Sequence, residues 1–81
     1  MTNRHDFDLT NIEELLASEG KIEVGYQHPI GEIATAIDGH HQALAMLRRG
    51  FTETFADTLL RLDAAIGEAM RDGTCRDEIN R

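Results

Sequence analysis

The stretch KIEVGYQHP, residues 21–29, decides how the fold is interpreted, because it carries the clearest strand pattern in the chain. Apolar residues alternate here with polar or small ones, which is the period-2 pattern of a half-buried strand. The apolar positions are Ile22, Val24 and Tyr26, and the others are Lys21, Glu23 and Gly25. A strand needs a neighbour, and little else in the sequence has a strand pattern.

Three arrangements are open for the extended segment, residues 21–27. It can lie extended across the helical hairpin that the later residues predict, and bury its apolar side chains against a line of small residues there. It can pair with the same segment of a second copy, or with HDFDL, residues 5–9. It can also add to the edge of a sheet in a partner protein, and only this arrangement makes it a binding site.

The residues before this segment predict one short helix. Thr10 and Glu13 form a capping-box pattern, and Gly20 is a typical C-terminal stop. The expected helix covers residues 11–18, after a flexible N-terminus at residues 1–9. With 81 residues in total, the chain has room for a single small domain.

The residues after the segment predict a long helix over 30–49. Pro29 suits the first turn of a helix, and Gly50 suits its end. Apolar residues between them follow the a/d spacing of a helix-packing seam. They are Ile30, Ile33, Ile37, Leu44 and Leu47.

A further helix is predicted over residues 53–72, with Thr52 as its N-cap and residues 74–81 as a tail. Together the two long helices make an antiparallel hairpin, although one continuous helix through Gly50 is an alternative. The expected fold class is therefore mainly α: a short helix, an extended segment and a helical hairpin that assembles into a helical-bundle oligomer.

Small residues form a second line along the predicted 30–49 helix. Ala36, Gly39, Ala43 and Met46 follow one another at helical spacing. Such a line lets another helix approach closely. We expect it to be covered either by a second copy or by the first helix and the extended segment.

Fifteen acidic and eight basic residues give the chain a net charge of −7. This balance repels phosphate backbones, so direct nucleic-acid binding is not expected, whereas a basic protein surface would be attracted. No apolar run is long enough for a membrane span, no signal-peptide pattern is visible, and the single Cys75 fits a reducing compartment. We therefore expect a cytoplasmic protein that does not contact a membrane.

The weak candidates for a chemical site are His40, His41 and Asp63. The expected hairpin places Asp63 opposite the two histidines, where a structural hydrogen bond, a polar register device or a metal site can form. Adjacent histidines on a helix cannot chelate one metal, so ligands from a second copy, such as His28, would be needed. Arg48 and Arg49 suit either a helix C-terminus or an anion.

No nucleophile motif or phosphate loop is present, so no enzyme and no cofactor is expected. The sequence favours a small acidic protein-binding regulator or inhibitor, of the antitoxin, adaptor or phage-inhibitor kind, acting as a helical homo-oligomer. The expected partner contacts are Ile22, Val24, Tyr26, Glu13 and Glu14. The alternative is an oligomeric module that binds a small ligand or metal at a subunit interface.

Overall fold

A computed structural model describes residues 7–80 of the chain. The elements in chain order are helix α1 (Thr10–Ala17), strands β1 (Lys21–Gln27), β2 (Gly31–Ile37) and β3 (Ala43–Arg48), helix α2 (Phe55–Asp72) and strand β4 (Arg76–Asp77). Residues 1–6 of the predicted flexible N-terminus, and residue 81 of the predicted tail, lie outside the described residues.

The prediction of a mainly α fold with a helical hairpin is wrong. The chain forms an α/β fold with a four-stranded mixed sheet in the order β1-β2-β3-β4. The first three strands are antiparallel, and β4 lies parallel to β3 after the α2 crossover. The extended segment 21–27 therefore has a neighbour within its own chain, which is β2.

The predicted 30–49 helix is replaced by two strands and a turn. Pro29 lies in the turn between β1 and β2, and the residues from 38 to 42 connect β2 to β3. The Asp38 carboxylate accepts hydrogen bonds from the backbone N–H groups of His40 (2.8 Å) and Gln42 (2.9 Å). These two hydrogen bonds stabilise the reversal of chain direction between β2 and β3. They are formed within the turn, in place of the hydrogen bonds that a helix would form there.

Both helices pack on one face of the sheet, and the core lies between them and the two central strands. The buried apolar side chains are Ile12 and Leu15 of α1, Ala34 and Ala36 of β2, Ala45 and Leu47 of β3, and Leu62, Ala65 and Ile66 of α2. Three of the four core alanines lie on the strands and four of the five larger side chains lie on the helices, so small and large residues interdigitate across this layer.

The predicted line of small residues does not exist as a helical surface. Ala36 is buried in the core, Ala43 and Met46 belong to β3, and Gly39 lies in the β2–β3 turn. The helix that would have carried the line is absent, so the predicted helical-bundle assembly has no surface on which to form.

The two helices are joined by Asp63, which lies on α2 and is only 8% exposed. Its carboxylate accepts the backbone N–H of Ile12 (2.8 Å) and the side-chain amide of Asn11 (3.0 Å). The Ile12 N–H is one of the donors that the first turn of a helix leaves without an intrahelical partner. Asp63 therefore fixes the start of α1 on the middle of α2.

Helix α2 starts two residues later than the predicted 53–72 range. Its N-cap is Thr54, not Thr52, and Thr54 forms a capping box with Asp57. Gly73 ends the helix in the left-handed conformation, with φ of 78°. Helix α1 spans Thr10–Ala17, where residues 11–18 were predicted. The predicted capping box of Thr10 and Glu13 is wrong, because the N-cap is Leu9 and no side chain caps it.

Candidate protein-binding edge

Strand β1 forms one edge of the sheet. One side of its backbone pairs with β2 along all seven residues, and no other strand within residues 7–80 pairs with its second side. Alternate residues of an edge strand direct their N–H and C=O groups outward, where another strand can bind them. We call this row of backbone groups, together with the side chains of β1, the β1 edge.

The apolar side chains of the β1 edge lie on the same face of the sheet as the helices. Ile22 opposes Ala36 and Val24 opposes Ala34 across the ladder, and opposed residues share a face. Ile22 is half-buried against the core, but Val24 is 43% exposed and Tyr26 is 69% exposed. The C-terminal half of β1 therefore presents apolar side chains to solvent.

The other face of β1 is polar or open. Lys21 and Glu23 form an ion pair there (3.1 Å) with both side chains largely exposed. Gly25 has no side chain, and a Cβ at this position would meet no atom within 4 Å. Among residues 7–80, therefore, no atom crowds this face at Gly25.

The surface next to the β1 edge is acidic. Helix α1 contacts β1, and Glu13, Glu14 and Glu19 on and after this helix are exposed. None of these three carboxylates forms an ion pair within the described part of the chain. The only basic residue of β1, Lys21, is already paired with Glu23. The field at this edge therefore favours a basic partner.

Basic side chains concentrate instead near the opposite edge, around β4. Arg61 binds Glu53 and Glu78, and it also donates to the backbone carbonyl of Arg48 (3.0 Å). The Arg61 guanidinium lowers the pKa of Glu53 to about 2. These contacts tie the β3–α2 loop, α2 and the segment after β4 together.

The pKa of Glu78, just after β4, is also lowered. Burial of this carboxyl acts to raise the pKa, but hydrogen bonds from the Arg48 backbone N–H and from Arg61 lower it by more. Arg76 of β4 forms a further ion pair with Glu68 of α2 (3.0 Å). The β4 edge is therefore covered by paired charges.

The predicted group of His40, His41 and Asp63 does not come together. The two histidines lie in the exposed β2–β3 turn, while Asp63 bonds to Asn11 and Ile12 beneath α1. Within residues 7–80 there is no cluster of three or more side chains suited to holding a metal ion. The predicted pairing depended on the helical hairpin, and it is lost together with it.

The other predicted candidates are placed apart from one another. Arg49 pairs with Glu32 and donates to the Glu53 carbonyl (2.7 Å), whereas the Arg48 side chain is exposed. Cys75 is exposed as a free thiol before β4. Among the predicted partner contacts, Ile22, Val24 and Tyr26 share one strand and one face, and Glu13 and Glu14 lie on the helix that contacts this strand.

Comparison with known proteins adds no relative to this chain. No family model, no curated protein and no solved structure matches it. Neither helix of the described residues is long and apolar enough to cross a membrane.

Sequence patterns identified the three apolar side chains of β1, but they missed that β1 is the edge strand of a sheet formed within the chain. The missed signal is Asp38-Gly39, a dipeptide that is typical of a tight turn between two strands. Recognising this turn would have made Gly31–Ile37 a strand and given β1 its neighbour.

Proposed function

We propose that this protein is a protein-binding module, of the regulator or inhibitor kind, which binds a basic extended segment of its partner along the β1 edge. The observation that carries the proposal is the seven-residue β1 edge, which no second strand within residues 7–80 covers, with Val24 and Tyr26 exposed beside it. Strand addition uses main-chain hydrogen bonds for affinity and alternate side chains for specificity. The β1 edge supplies both.

The charge of the surface selects the chemistry of the partner. Within residues 7–80, Glu13, Glu14 and Glu19 form no ion pair, so the acidic surface beside β1 attracts an added strand that carries Lys or Arg. Its apolar residues would lie on the helix side, next to Val24 and Tyr26, and the basic residues that alternate with them would lie on the opposite face, where the acidic surface attracts them at longer range. The preferred segment therefore alternates apolar with basic residues, and an acidic segment is repelled.

A direct test uses two capped heptapeptides, one alternating Val with Lys and one alternating Val with Glu. Fluorescence anisotropy measures the binding of each peptide to the purified protein. We expect the basic peptide to bind at least about tenfold more tightly than the acidic one. We also expect its affinity to fall as salt rises from about 50 mM to about 500 mM, because the attraction is screened.

Variants of the protein locate the binding surface. Val24→Ser combined with Tyr26→Ser should weaken binding of the basic peptide, and Glu13→Gln combined with Glu14→Gln should reduce its salt dependence. The matched control is Phe51→Ser, which removes a fully exposed apolar side chain in the β3–α2 loop and should leave binding unchanged. Equal binding of the two peptides, or full binding by the Val24/Tyr26 variant, would contradict the proposal.

A further inference from the structure

The sequence of β1 is complementary to itself when two copies are laid antiparallel with Val24 opposite Val24. In this register Ile22 opposes Tyr26, which is a favourable pairing of a β-branched and an aromatic side chain. Lys21 opposes Gln27 and Glu23 opposes Gly25, so no like charges meet. All seven residues of the strand take part.

The neighbouring registers of a β1–β1 pair have less favourable side-chain pairing. Centring the pair on Glu23 places two carboxylates directly opposite each other, which is destabilising. Centring it on Gly25 leaves five of the seven residues of β1 paired, because Lys21 and Ile22 lose their partners. A shift by one residue opposes Ile22 to Gln27 and turns the apolar face of one copy against the polar face of the other.

From this complementarity we infer that the free protein forms a symmetric dimer by β1–β1 pairing centred on Val24. The two four-stranded sheets then join into one sheet of eight strands, 4 + 4, with all helices on the same face. The inference deepens the proposed function, because the dimer occupies the edge that the basic partner segment would use. Self-pairing thus regulates the site: a partner segment binds only as the dimer opens.

The two ligands of the β1 edge, a second copy and a basic partner segment, should respond to salt in opposite ways because their charges differ. Each chain has a net charge of −7, and pairing brings the exposed Glu13 and Glu14 of both copies toward the same seam. Salt screens this repulsion, so the dimer should become tighter as ionic strength rises. Binding of a basic segment should become weaker under the same change.

Register-specific cross-linking tests the dimer in the absence of any peptide. In a Cys75→Ser background, Val24→Cys places two thiols directly opposite each other, within the roughly 4.5–5.5 Å between Cα atoms that an antiparallel pair allows. Tyr26→Cys is the matched control on the same strand and face. Its two thiols would lie four residues apart along the strands, roughly 13 Å, which is too far for a disulfide.

The control is stringent because Tyr26 is more exposed than Val24, at 69% against 43%. Random collision would cross-link Tyr26→Cys at least as fast as Val24→Cys. The dimer predicts the reverse order, with Val24→Cys faster by about tenfold or more in mild oxidant, since only its thiols meet within disulfide range. Sedimentation equilibrium of the unmodified protein should show the dimer at about 100 µM, strengthened by salt.

Equal or faster cross-linking of Tyr26→Cys, or a monomer at this concentration in high salt, would overturn the inference. These outcomes do not depend on the peptide measurements. A protein that dimerises but ignores the basic peptide retains the dimer and loses the proposed function. A protein that binds the peptide as a monomer retains the proposed function and loses the dimer.

Discussion

The two edges of the sheet differ in how they are protected. Strand β4 has only two residues, both charged, and paired charges from α2 and from Glu78 surround it. Strand β1 has seven residues, and its Val24 and Tyr26 are exposed. Natural sheets protect edges with short strands and charges, because an open edge is a template for another strand. The β4 edge follows this rule, whereas the β1 edge is long and has no second strand beside it within residues 7–80.

The core strand β3 and the edge strand β1 should respond very differently to loss of a side chain. Leu47 of β3 is fully buried, so Leu47→Ala should lower the free energy of unfolding by about 2–5 kcal/mol. Val24→Ala, on the same face, should lower it by less than about 1 kcal/mol, because Val24 is already 43% exposed. Urea denaturation of both variants measures the difference. Similar losses in dilute, monomeric protein would mean that β1 is covered within the monomer.

The paired charges next to β4 should contribute measurably to stability. Arg61→Met keeps most of the aliphatic stem but leaves Glu53 and Glu78 without their guanidinium partner. We expect a loss of about 1–2 kcal/mol, toward the lower range for charged hydrogen bonds because Arg61 is 38% exposed.

The matched control on the same helix is Arg71→Met. Arg71 is exposed and forms no ion pair within residues 7–80. Its replacement should change the free energy of unfolding by no more than about 0.5 kcal/mol. Thermal unfolding of the two variants side by side gives the comparison. Equal losses of stability in the two variants would show that the contacts of Arg61 do not stabilise the structure next to β4.

The same contacts predict how stability depends on pH. The pKa of Glu53 falls from an ordinary 4.5 to about 2 on folding, so its contribution is complete above pH 4.5. That contribution is lost as pH falls toward 2, because the unfolded chain then binds a proton that the folded chain does not. Unfolding measured between these values should show a smaller slope for Glu53→Gln than for the natural chain. A slope that is unchanged by this substitution would contradict the assignment of Glu53 to the Arg61 contacts.

Local signals predicted the two helices and the extended segment more closely than they predicted the fold. Both helical regions carry apolar residues at helical spacing and a glycine shortly after the helix, signals that act within a few residues of sequence. Their N-caps were predicted less well, because α1 has no side-chain cap and α2 uses Thr54 in place of Thr52. Residues 30–49 are rich in Ala, Leu, Ile and Met, and their apolar spacing matched a helix. The turn chemistry of Asp38 and Gly39 overrides that preference, because its hydrogen bonds reverse the chain midway.

The role of Asp63 could not be read from the sequence because its partners are distant. Asn11 and Ile12 lie 52 and 51 residues away along the chain, and they meet Asp63 only after α1 packs on α2. A carboxylate on an apolar helix face does indicate a buried hydrogen bond. Which donor it finds depends on tertiary structure. The sequence pattern predicts a position beside His40 or His41 only for a helical hairpin, which does not form.

The availability of the β1 edge is tested most directly by amide exchange of residues 21–27. We expect alternate amides of β1, those directed away from β2, to exchange rapidly in dilute protein and to become protected when the basic heptapeptide or a second copy binds. Amides of β3 should stay protected throughout. Protection of every β1 amide in dilute protein, or no change on addition of peptide and at high protein concentration, would contradict the account.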